Sequence, residues 1–356
     1  MKIWHIVGAR PNFMKAAPVY RALARRRATQ TIVHTGQHYD AAMSDVFFRQ
    51  LGLPRPGHNL EVGSGSHAQQ TAQVMMRLEP LIAQARPDWV LIYGDVNSTV
   101  AAALVCVKLG VKTAHVEAGL RSRDRTMPEE HNRIVTDHLA DILLTPSADG
   151  DANLRAEGLP ASRIRRVGNV MIDTLVRLLP SARRLSPLGR GEGCAPFVLV
   201  TLHRPSNVDD PRHLRTLVAA LERIAVEAPV LFPVHPRTRA KLEGKTVKGV
   251  TLAEPLGYLE FLALQTRAAL VVTDSGGIQE ETTYLRVPCL TVRPNTERPI
   301  TVTLGSNELI GTDPEVLVRR ARAILRRGGK RGRVPPLWDG RAGERIAEEL
   351  TARTRR

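Results

Sequence analysis

The stretch Val272-Thr273-Asp274-Ser275-Gly276-Gly277-Ile278-Gln279-Glu280-Glu281 runs from an apolar segment through a Ser-Gly-Gly turn into a helix-like segment. Glycines in such a turn let backbone N–H groups approach an anion, and the start of a helix carries about half a positive charge. We therefore expect Ser275, Gly276 and Gly277 to cradle a diphosphate. Glu281 follows one helical turn further in, where a carboxylate can accept both hydroxyls of a ribose.

The rest of the chain shows the same alternation of short apolar runs with amphipathic ones. Apolar runs predict strands at Lys2–Val7, Thr31–His34, Trp89–Tyr93, Lys112–Val116, Ile142–Thr145, Ile164–Val167, Phe197–Leu202, Val230–Val234, Leu270–Thr273 and Cys289–Val292. Helical spacing predicts helices at Phe13–Arg25, Ala41–Leu51, His67–Gln84, Ser98–Leu109, Glu129–Leu139, Pro211–Ala228, Tyr258–Thr266, Gly277–Leu285 and Pro314–Arg327. This alternation is typical of parallel sheets covered by helices.

The length of 356 residues predicts two domains, since a single core rarely grows that large. We expect an α/β protein with two Rossmann-like doubly wound domains that face a cleft, because open α/β sheets bind ligands at the carboxyl ends of their strands. Leu178–Pro196 is rich in Pro, Gly, Ser and Arg and is interpreted as a loop near the domain junction, with Gly168–Thr174 as the crossing.

The composition limits the possible functions. The net charge of +16 makes nucleic-acid binding a function to consider. The basic residues are spread along the chain, however, and the arginines near 319–333 fall on the outer face of a predicted helix. We therefore expect no nucleic-acid partner. No apolar run is long enough for a membrane span, and three scattered cysteines predict neither disulfides nor a zinc site. A cytoplasmic enzyme without a metal or another cofactor fits these features.

Acidic residues follow two neighbouring strands of the predicted first domain. Asp95 and Glu117 come directly after apolar strands, and Glu129 and Glu130 open a predicted helix soon afterwards. Asp95 could serve only as a helix N-cap, and Glu129 or Glu130 could only complement the positive end of a helix. Two carboxylates on successive strand ends are harder to explain as caps alone, so proton-transfer chemistry stays open beside these alternatives.

Basic residues and histidines follow other strands. Arg10 and Lys15 come after the first strand, where they could bind phosphate or form an ordinary surface turn. His203 follows the first strand of the second half and is a plausible acid or base. His235 could be the same or a plain loop residue. Arg298 adds a cation after the last long strand.

Together these motifs resemble the non-hydrolysing UDP-N-acetylglucosamine 2-epimerase family, in family order from residue 6 to about 313. The matching pieces are Gly8-Ala9-Arg10-Pro11 with Lys15, Thr35-Gly36-Gln37-His38, Gly94-Asp95, His115-Val116-Glu117-Ala118-Gly119-Leu120-Arg121, Pro128-Glu129-Glu130 with Asn132-Arg133, Gly168-Asn169, His203-Arg204, Asp274-Ser275-Gly276-Gly277 with Gln279-Glu280-Glu281, and Thr296-Glu297-Arg298-Pro299.

The resemblance implies a glycosyltransferase-B-like fold, a UDP-sugar substrate and a homodimer. It implies that residues 1–170 form a domain with the catalytic acids, that residues 171–340 form a UDP-binding domain, and that residues 341–356 form a helix that packs back on the first domain. The implied catalytic group is Asp95, Glu117, Glu129 and His203. The implied UDP-binding group is Arg10, Lys15, Phe261, Ser275, Gly276, Gly277, Glu281 and Arg298.

Three positions depart from the family pattern: Ser206 and Ile300 replace usual glutamates, and Val62–His67 replaces a segment that helps form an activating second site in many bacterial members. Related activities therefore stay open at this point. They are epimerisation of a UDP-linked diacetamido uronic acid, a hydrolysing 2-epimerase and a glycosyltransferase of the same fold.

Overall fold

A computed structural model describes residues 1–36, 48, 50–185, 196–234, 236–242 and 247–354, without the side chains of residues 10, 236 and 237. The chain forms two compact units. Unit 1 contains Met1–Thr174 and Pro336–Arg356, and unit 2 contains Leu175–Pro335.

Unit 1 is built on a parallel sheet of seven strands in the order β3-β2-β1-β4-β5-β6-β7. Its elements in chain order are β1 (Lys2–Val7), α1 (Arg10–Arg25), β2 (Thr29–His34), β3 (His58–Asn59), α2 (His67–Ala85), β4 (Trp89–Tyr93), α3 (Asn97–Lys108), β5 (Thr113–Val116), α4 (Pro128–Leu139), β6 (Ile142–Thr145), α5 (Ala148–Ala156) and β7 (Ile164–Arg166). Helix α6 (Val170–Arg184) begins in unit 1 and ends in unit 2. The last helix of the chain, α14 (Ala342–Thr354), packs against α1. Asp173 accepts hydrogen bonds from the N–H groups of Ala342 and Gly343 at the start of α14, at 3.0 and 2.7 Å.

Unit 2 contains a parallel sheet of six strands in the order β10-β9-β8-β11-β12-β13. Its elements are β8 (Val198–Thr201), α7 (Pro205–Val208), α8 (Pro211–Ala225), β9 (Val230–Pro233), α9 (Pro236–Ala240), β10 (Val250–Ala253), α10 (Tyr258–Gln265), β11 (Leu270–Thr273), α11 (Gly276–Leu285), β12 (Cys289–Thr291), α12 (Pro299–Thr303), β13 (Asn307–Leu309) and α13 (Pro314–Arg327). In both sheets the strand order reverses beside the first strand of the unit, so the predicted doubly wound α/β architecture is confirmed.

The central strands are buried on both faces because helices cover both sides of each sheet. β4 has no exposed residue, and β11 is equally buried. The apolar runs of the sequence therefore marked these strands correctly. The helices predicted to begin at Pro211 and Pro314 are also confirmed, and Asp210 and Asp313 cap them, since each side chain accepts from the N–H group two residues later, at 2.8 Å.

The prediction of a loop over Leu178–Pro196 is wrong for its first part. Helix α6 continues to Arg184, and Leu178 and Ala182 lie buried on one of its faces. The other face carries Arg and Ser, so the helical spacing of the apolar residues was not recognised in the sequence. Residues 186–195 lie outside the described residues. The strands β3, β10 and β13 were not predicted, because runs of two to four residues carry little period. The predicted helix Ala41–Leu51 lies mostly outside the described residues.

The arginine-rich face of α13 is partly neutralised. Arg320 pairs with Glu308 at 2.5 Å, and Arg326 pairs with Glu227 at 2.5 Å. Among the described residues no helix combines the length and apolar character that a membrane span needs. Cys106 and Cys289 are free and fully buried, whereas Cys194 lies outside the described residues.

Candidate functional site

The carboxyl ends of β1, β4 and β5 bring Lys15 and Glu117 together in unit 1. Their side chains form an ion pair that is almost completely buried. Gly94, after β4, lies against this pair, since a Cβ atom there would come within 2.7 Å of Lys15 Nζ and 3.3 Å of Glu117 Oε2. Glu117 has a φ of 75°, an unfavourable backbone conformation for a residue with a side chain. Strain of this kind concentrates at functional sites.

Asp95 is held by Arg133 of α4. Arg133 Nε and Nη2 donate to Asp95 Oδ2 at 2.9 and 2.6 Å, and Arg133 Nη1 donates to Glu130 at 2.7 Å. The N-cap of α3 is Val96, so Asp95 is not the N-cap that the sequence left as an alternative. Its side chain is still 23% exposed, which leaves it open to a ligand.

The neighbours Glu129 and Glu130 differ sharply. Glu130 is buried and accepts from the N–H groups of Ser122 and Arg123 at 2.9 and 2.8 Å. Burial opposes its ionisation, but these backbone bonds and Arg133 outweigh burial, so the pKa of Glu130 lies below its usual value. Glu129 is half-buried, and no hydrogen bond or ion pair fixes its carboxylate within the described part of the chain. Glu130 is therefore a structural acid, and Glu129 is available for chemistry.

A second group of charged side chains, His115, Asp137 and Arg121, is buried in unit 1. His115 of β5 is fully buried between Asp137 Oδ1, at 2.6 Å from its Nδ1, and the carbonyl oxygen of Gly94, at 2.8 Å from its Nε2. Asp137 Oδ2 accepts from Arg121 at 2.8 Å and from the N–H group of Gly119 at 3.1 Å. His115 therefore fixes the peptide that precedes Asp95.

In unit 2, Asp274 connects the ends of β8 and β11. It is fully buried and accepts from the N–H groups of His203 and Arg204 at 3.0 and 2.9 Å and from Asn207 Nδ2 at 3.0 Å. Burial opposes its ionisation, but the bonds from His203, Asn207 and Arg204 prevail, so the pKa of Asp274 lies below its usual value. His203 Nδ1 lies 2.9 Å from Asp274 Oδ1, and the imidazole is 58% exposed.

The Ser-Gly-Gly turn lies at the N-terminus of α11, with Ser275 as its N-cap. The first N–H groups of a helix have no acceptor within it, so those of Gly276 and Gly277 can bind an anion. The Arg298 guanidinium lies against this turn: a Cβ atom on Gly276 would come within 2.4 Å of Arg298 Nη1. Arg298 also forms buried ion pairs with Glu280, at 2.8 Å, and with Glu297.

Glu281 lies one turn further along α11 and is 2% exposed. Its Oε1 accepts from the Tyr258 hydroxyl of α10 at 2.9 Å. Burial raises the pKa of Glu281 to about 7, and the nearby Glu280 adds to this rise. Phe261, also on α10, is half-buried and packs against the apolar cluster under β8 and β11.

The predicted site residues are divided between the two units, some just after strands and others on helices. Asp95, Glu117, Glu129 and Lys15 lie in unit 1; His203, Phe261, Ser275, Gly276, Gly277, Glu281 and Arg298 lie in unit 2. The side chain of Arg10 and all of His235 lie outside the described residues. Sequence reasoning gave no role to Tyr258 and Asn207. In the sequence Tyr258 belongs to an apolar run and Asn207 to a turn, and only the structure shows that they contact Glu281 and Asp274. No grouping of three or more His, Cys, Asp or Glu side chains suited to a metal occurs in the described ranges.

Comparisons with known proteins identify the family to which the chain is similar. The family described as UDP-N-acetylglucosamine 2-epimerase matches residues 21–351. A UDP-N-acetylglucosamine 2-epimerase of Methanocaldococcus jannaschii is 40% identical over 99% of each chain. A UDP-2,3-diacetamido-2,3-dideoxy-D-glucuronate 2-epimerase of Pseudomonas aeruginosa is 45% identical over 98% of this chain and 99% of its own.

A solved structure gives the same result. The crystal structure of the Methanocaldococcus jannaschii UDP-GlcNAc 2-epimerase in complex with UDP-GlcNAc and UDP matches with a TM-score of 0.90 and 40% identity, covering 99% of this chain and 100% of that one. The glycosyltransferase-B-like fold predicted from the sequence is thereby confirmed. Because the family match spans most of the chain and the relatives align over nearly their whole length, the chain belongs to the UDP-N-acetylglucosamine 2-epimerase family.

Proposed function

We propose that the chain interconverts UDP-N-acetylglucosamine and UDP-N-acetylmannosamine by inverting carbon 2 of the sugar. The observation that carries the proposal is the group of carboxylates at the strand ends of unit 1. Asp95 and Glu117 are fixed by the cations Arg133 and Lys15, and Glu129 lies near them in sequence without such a partner. Family membership supports the same reaction.

The proposed reaction is an elimination followed by an addition. A base takes the proton from carbon 2, the C–H electron pair forms a double bond to carbon 1, and the bond from carbon 1 to the diphosphate oxygen breaks. The products are UDP and a 2-acetamidoglucal. A proton then adds to the other face of carbon 2, and UDP attacks carbon 1 again. The electrons balance without an oxidant, so no nicotinamide is required.

We assign the proton transfers to Asp95, Glu117, Glu129 and His203. General acid or base groups of this kind each contribute about 10²–10⁴-fold to a rate. Negative charge grows on the departing diphosphate, and preorganised positive groups stabilise such charge. Arg298 and the N–H groups of α11 supply them in unit 2. UDP binding by Arg10, Lys15, Phe261, Ser275 and Glu281 belongs to the same proposal.

Proton NMR in heavy water tests the reaction. UDP-N-acetylglucosamine should incorporate deuterium at carbon 2 and form UDP-N-acetylmannosamine. Glu117→Gln should stop the exchange, whereas Glu130→Gln should retain it in the folded fraction because Glu130 is fully bonded within unit 1. The absence of exchange in the wild type would refute the proposal, and accumulation of free sugar would show a hydrolysing epimerase instead.

A second substrate has a specific observation in its favour. The Pseudomonas aeruginosa relative is 45% identical, against 40% for the Methanocaldococcus jannaschii enzyme, and it is named for a UDP-diacetamido uronic acid. The same elimination and addition would apply to that sugar. Comparing kcat/KM for the two sugar nucleotides decides between them.

We also propose a homodimer formed through unit 1. Three apolar side chains are exposed on the adjacent helices α2, α3 and α4: Met76 at 73%, Val107 at 46% and Val135 at 40%. Exposed apolar groups on neighbouring helices are typical of interaction surfaces. Light scattering should give twice the chain mass, and Met76→Glu with Val107→Glu should give monomers. A wild-type monomer would contradict this assembly.

The free buried thiols of Cys106 and Cys289 suit a cytoplasmic location.

A further inference from the structure

The Glu281 carboxylate has one satisfied oxygen and one unsatisfied oxygen. Oε1 accepts from Tyr258, whereas Oε2 is buried and has no hydrogen-bond partner among the residues that the structure describes. A buried carboxylate oxygen without a donor is costly, because the group has lost water and gained nothing in return. An arrangement of this kind suits a site that a ligand donor completes.

The position of Glu281 indicates which ligand. It follows Gly277 by four residues on α11, so the two lie on the same face of the helix at a distance of about 6 Å. The N–H groups of the first turn suit a phosphate, and the carboxylate one turn later suits hydroxyl donors. Phosphate and hydroxyls at this spacing occur in a ribonucleoside diphosphate.

Helix α10 determines how Glu281 is oriented. Tyr258, the first residue of α10, donates its hydroxyl to Glu281 Oε1 at 2.9 Å. Burial, followed by the nearby carboxylate, raises the pKa of Tyr258 well above its usual value. Its hydroxyl therefore stays protonated and remains a donor. With Oε1 engaged by Tyr258, Oε2 is the oxygen left for the ligand.

We propose that Tyr258 is a positioning residue that holds Glu281 for the ribose hydroxyls and so gives the site its preference for UDP over 2′-deoxy-UDP. The inference rests on the proposed function, because it takes UDP as the ligand. Tyr258 acts through Glu281 and needs no contact with the nucleotide. Without the Tyr258 hydroxyl, the carboxylate loses its fixed orientation, and the hydroxyl donors no longer meet an aligned acceptor.

Calorimetry with UDP and 2′-deoxy-UDP tests the proposal. A hydrogen bond to a charged group corresponds to a preference of about 10- to 100-fold, so the wild type should bind UDP tighter by that ratio. Tyr258→Phe should reduce the ratio at least about fivefold, because UDP loses two aligned hydroxyl bonds and 2′-deoxy-UDP, which keeps only the 3′-hydroxyl, loses one. Tyr284→Phe is the matched control, because the Tyr284 hydroxyl has no hydrogen bond within the described residues. It should keep the wild-type ratio.

A double-mutant cycle separates positioning from direct contact. Glu281→Gln should itself remove most of the preference, and adding Tyr258→Phe to it should change nothing further, because coupled residues are not additive. An additive loss, or an unchanged ratio in folded Tyr258→Phe, would overturn the inference. Equal affinity of the wild type for both nucleotides would also overturn it while leaving the function intact. Binding of neither nucleotide would instead refute the proposed function.

Discussion

Unit 1 and unit 2 each contain an aspartate–histidine pair: Asp137 with His115, and Asp274 with His203. The first pair is separated by 2.6 Å and both side chains are fully buried. The second is separated by 2.9 Å, but the imidazole of His203 is 58% exposed although Asp274 is fully buried. The same contact therefore occurs in two different environments.

The difference lies in what each histidine has left to offer. Both ring nitrogens of His115 are engaged, one by Asp137 and one by the carbonyl oxygen of Gly94. Only Nδ1 of His203 is engaged among the described residues, which leaves Nε2 for a ligand. Pairing with an aspartate thus does not identify a catalytic histidine. Exposure together with an unused nitrogen makes His203 a candidate acid or base, whereas His115 has neither.

Substituting the two histidines should give opposite results. His203→Asn should lower turnover by about 10²–10⁴-fold if His203 transfers a proton. Asp274 would keep the N–H groups of His203 and Arg204 and the amide of Asn207. The free energy of unfolding should therefore fall by less than about 1 kcal/mol. Deuterium exchange at carbon 2 and denaturant unfolding measure both effects.

His115→Asn is the other arm. Removing one partner of a buried charged pair costs about 3 kcal/mol or more, although Arg121 still compensates Asp137 in part. We expect a clear loss of stability, with UDP affinity retained in the folded fraction. If His115→Asn were as stable as the wild type, or His203→Asn as active, the distinction by exposure would fail.

The adjacent glutamates allow the same comparison at matched positions. Glu129→Gln should lower turnover by about 10²–10⁴-fold with little change in melting temperature. Glu130→Gln should cost about 1.5–3 kcal/mol of stability, because Glu130 accepts charge-assisted and backbone bonds from Ser122, Arg123 and Arg133. The reverse pattern would mean that Glu130 is the reactive acid of the two.

Acid titration should reveal the two buried aspartates. Asp137 and Asp274 both have a pKa below the usual value: burial opposes ionisation, but His115 and Arg121 outweigh it for Asp137, and His203, Asn207 and Arg204 do so for Asp274. A lowered folded-state pKa adds stability above the unfolded value of about 3.9 and loses it as the pH falls through the folded value.

The free energy of unfolding should thus decrease below about pH 4 in the wild type. Asp137→Asn and Asp274→Asn should each be less stable than the wild type at pH 7 and less sensitive between pH 4 and pH 2. Chemical denaturation at each pH measures this, and a slope unchanged in both variants would show that other groups dominate.

The sequence predicted the scaffold well because buried parallel strands are apolar throughout, as in Trp89–Tyr93. It also placed Asp95, Glu117 and His203 just after strands, where a doubly wound fold gathers its ligand-binding residues. It did not reveal how they pair. Lys15 and Glu117 are 102 positions apart, and Tyr258 and Glu281 are 23 apart, so their contacts depend on tertiary packing. Local pattern contains no information of that kind.

The smallest expected effect concerns Glu281. Its carboxylate accepts one hydrogen bond among the described residues, whereas Asp137 and Asp274 each accept several. Burial raises the pKa of Glu281 to about 7, Glu280 adds to this, and the Tyr258 hydroxyl lowers it only in part. Glu280 itself is paired with Arg298. At pH 7 the free protein should therefore carry about half a proton on Glu281.

Ribose hydroxyls that donate to Glu281 favour its ionised form, so UDP binding at pH 7 should release up to about half a proton from this group. Calorimetry in buffers of different ionisation enthalpy measures the release. The terminal phosphate of UDP also titrates near neutrality, so the informative quantity is the difference between the wild type and Glu281→Gln. That difference should vanish at pH 9, where Glu281 is already ionised before UDP binds. Equal proton release by both proteins at pH 7 would show that the nucleotide does not reach Glu281, and the buried carboxylate would then be as structural as Asp137.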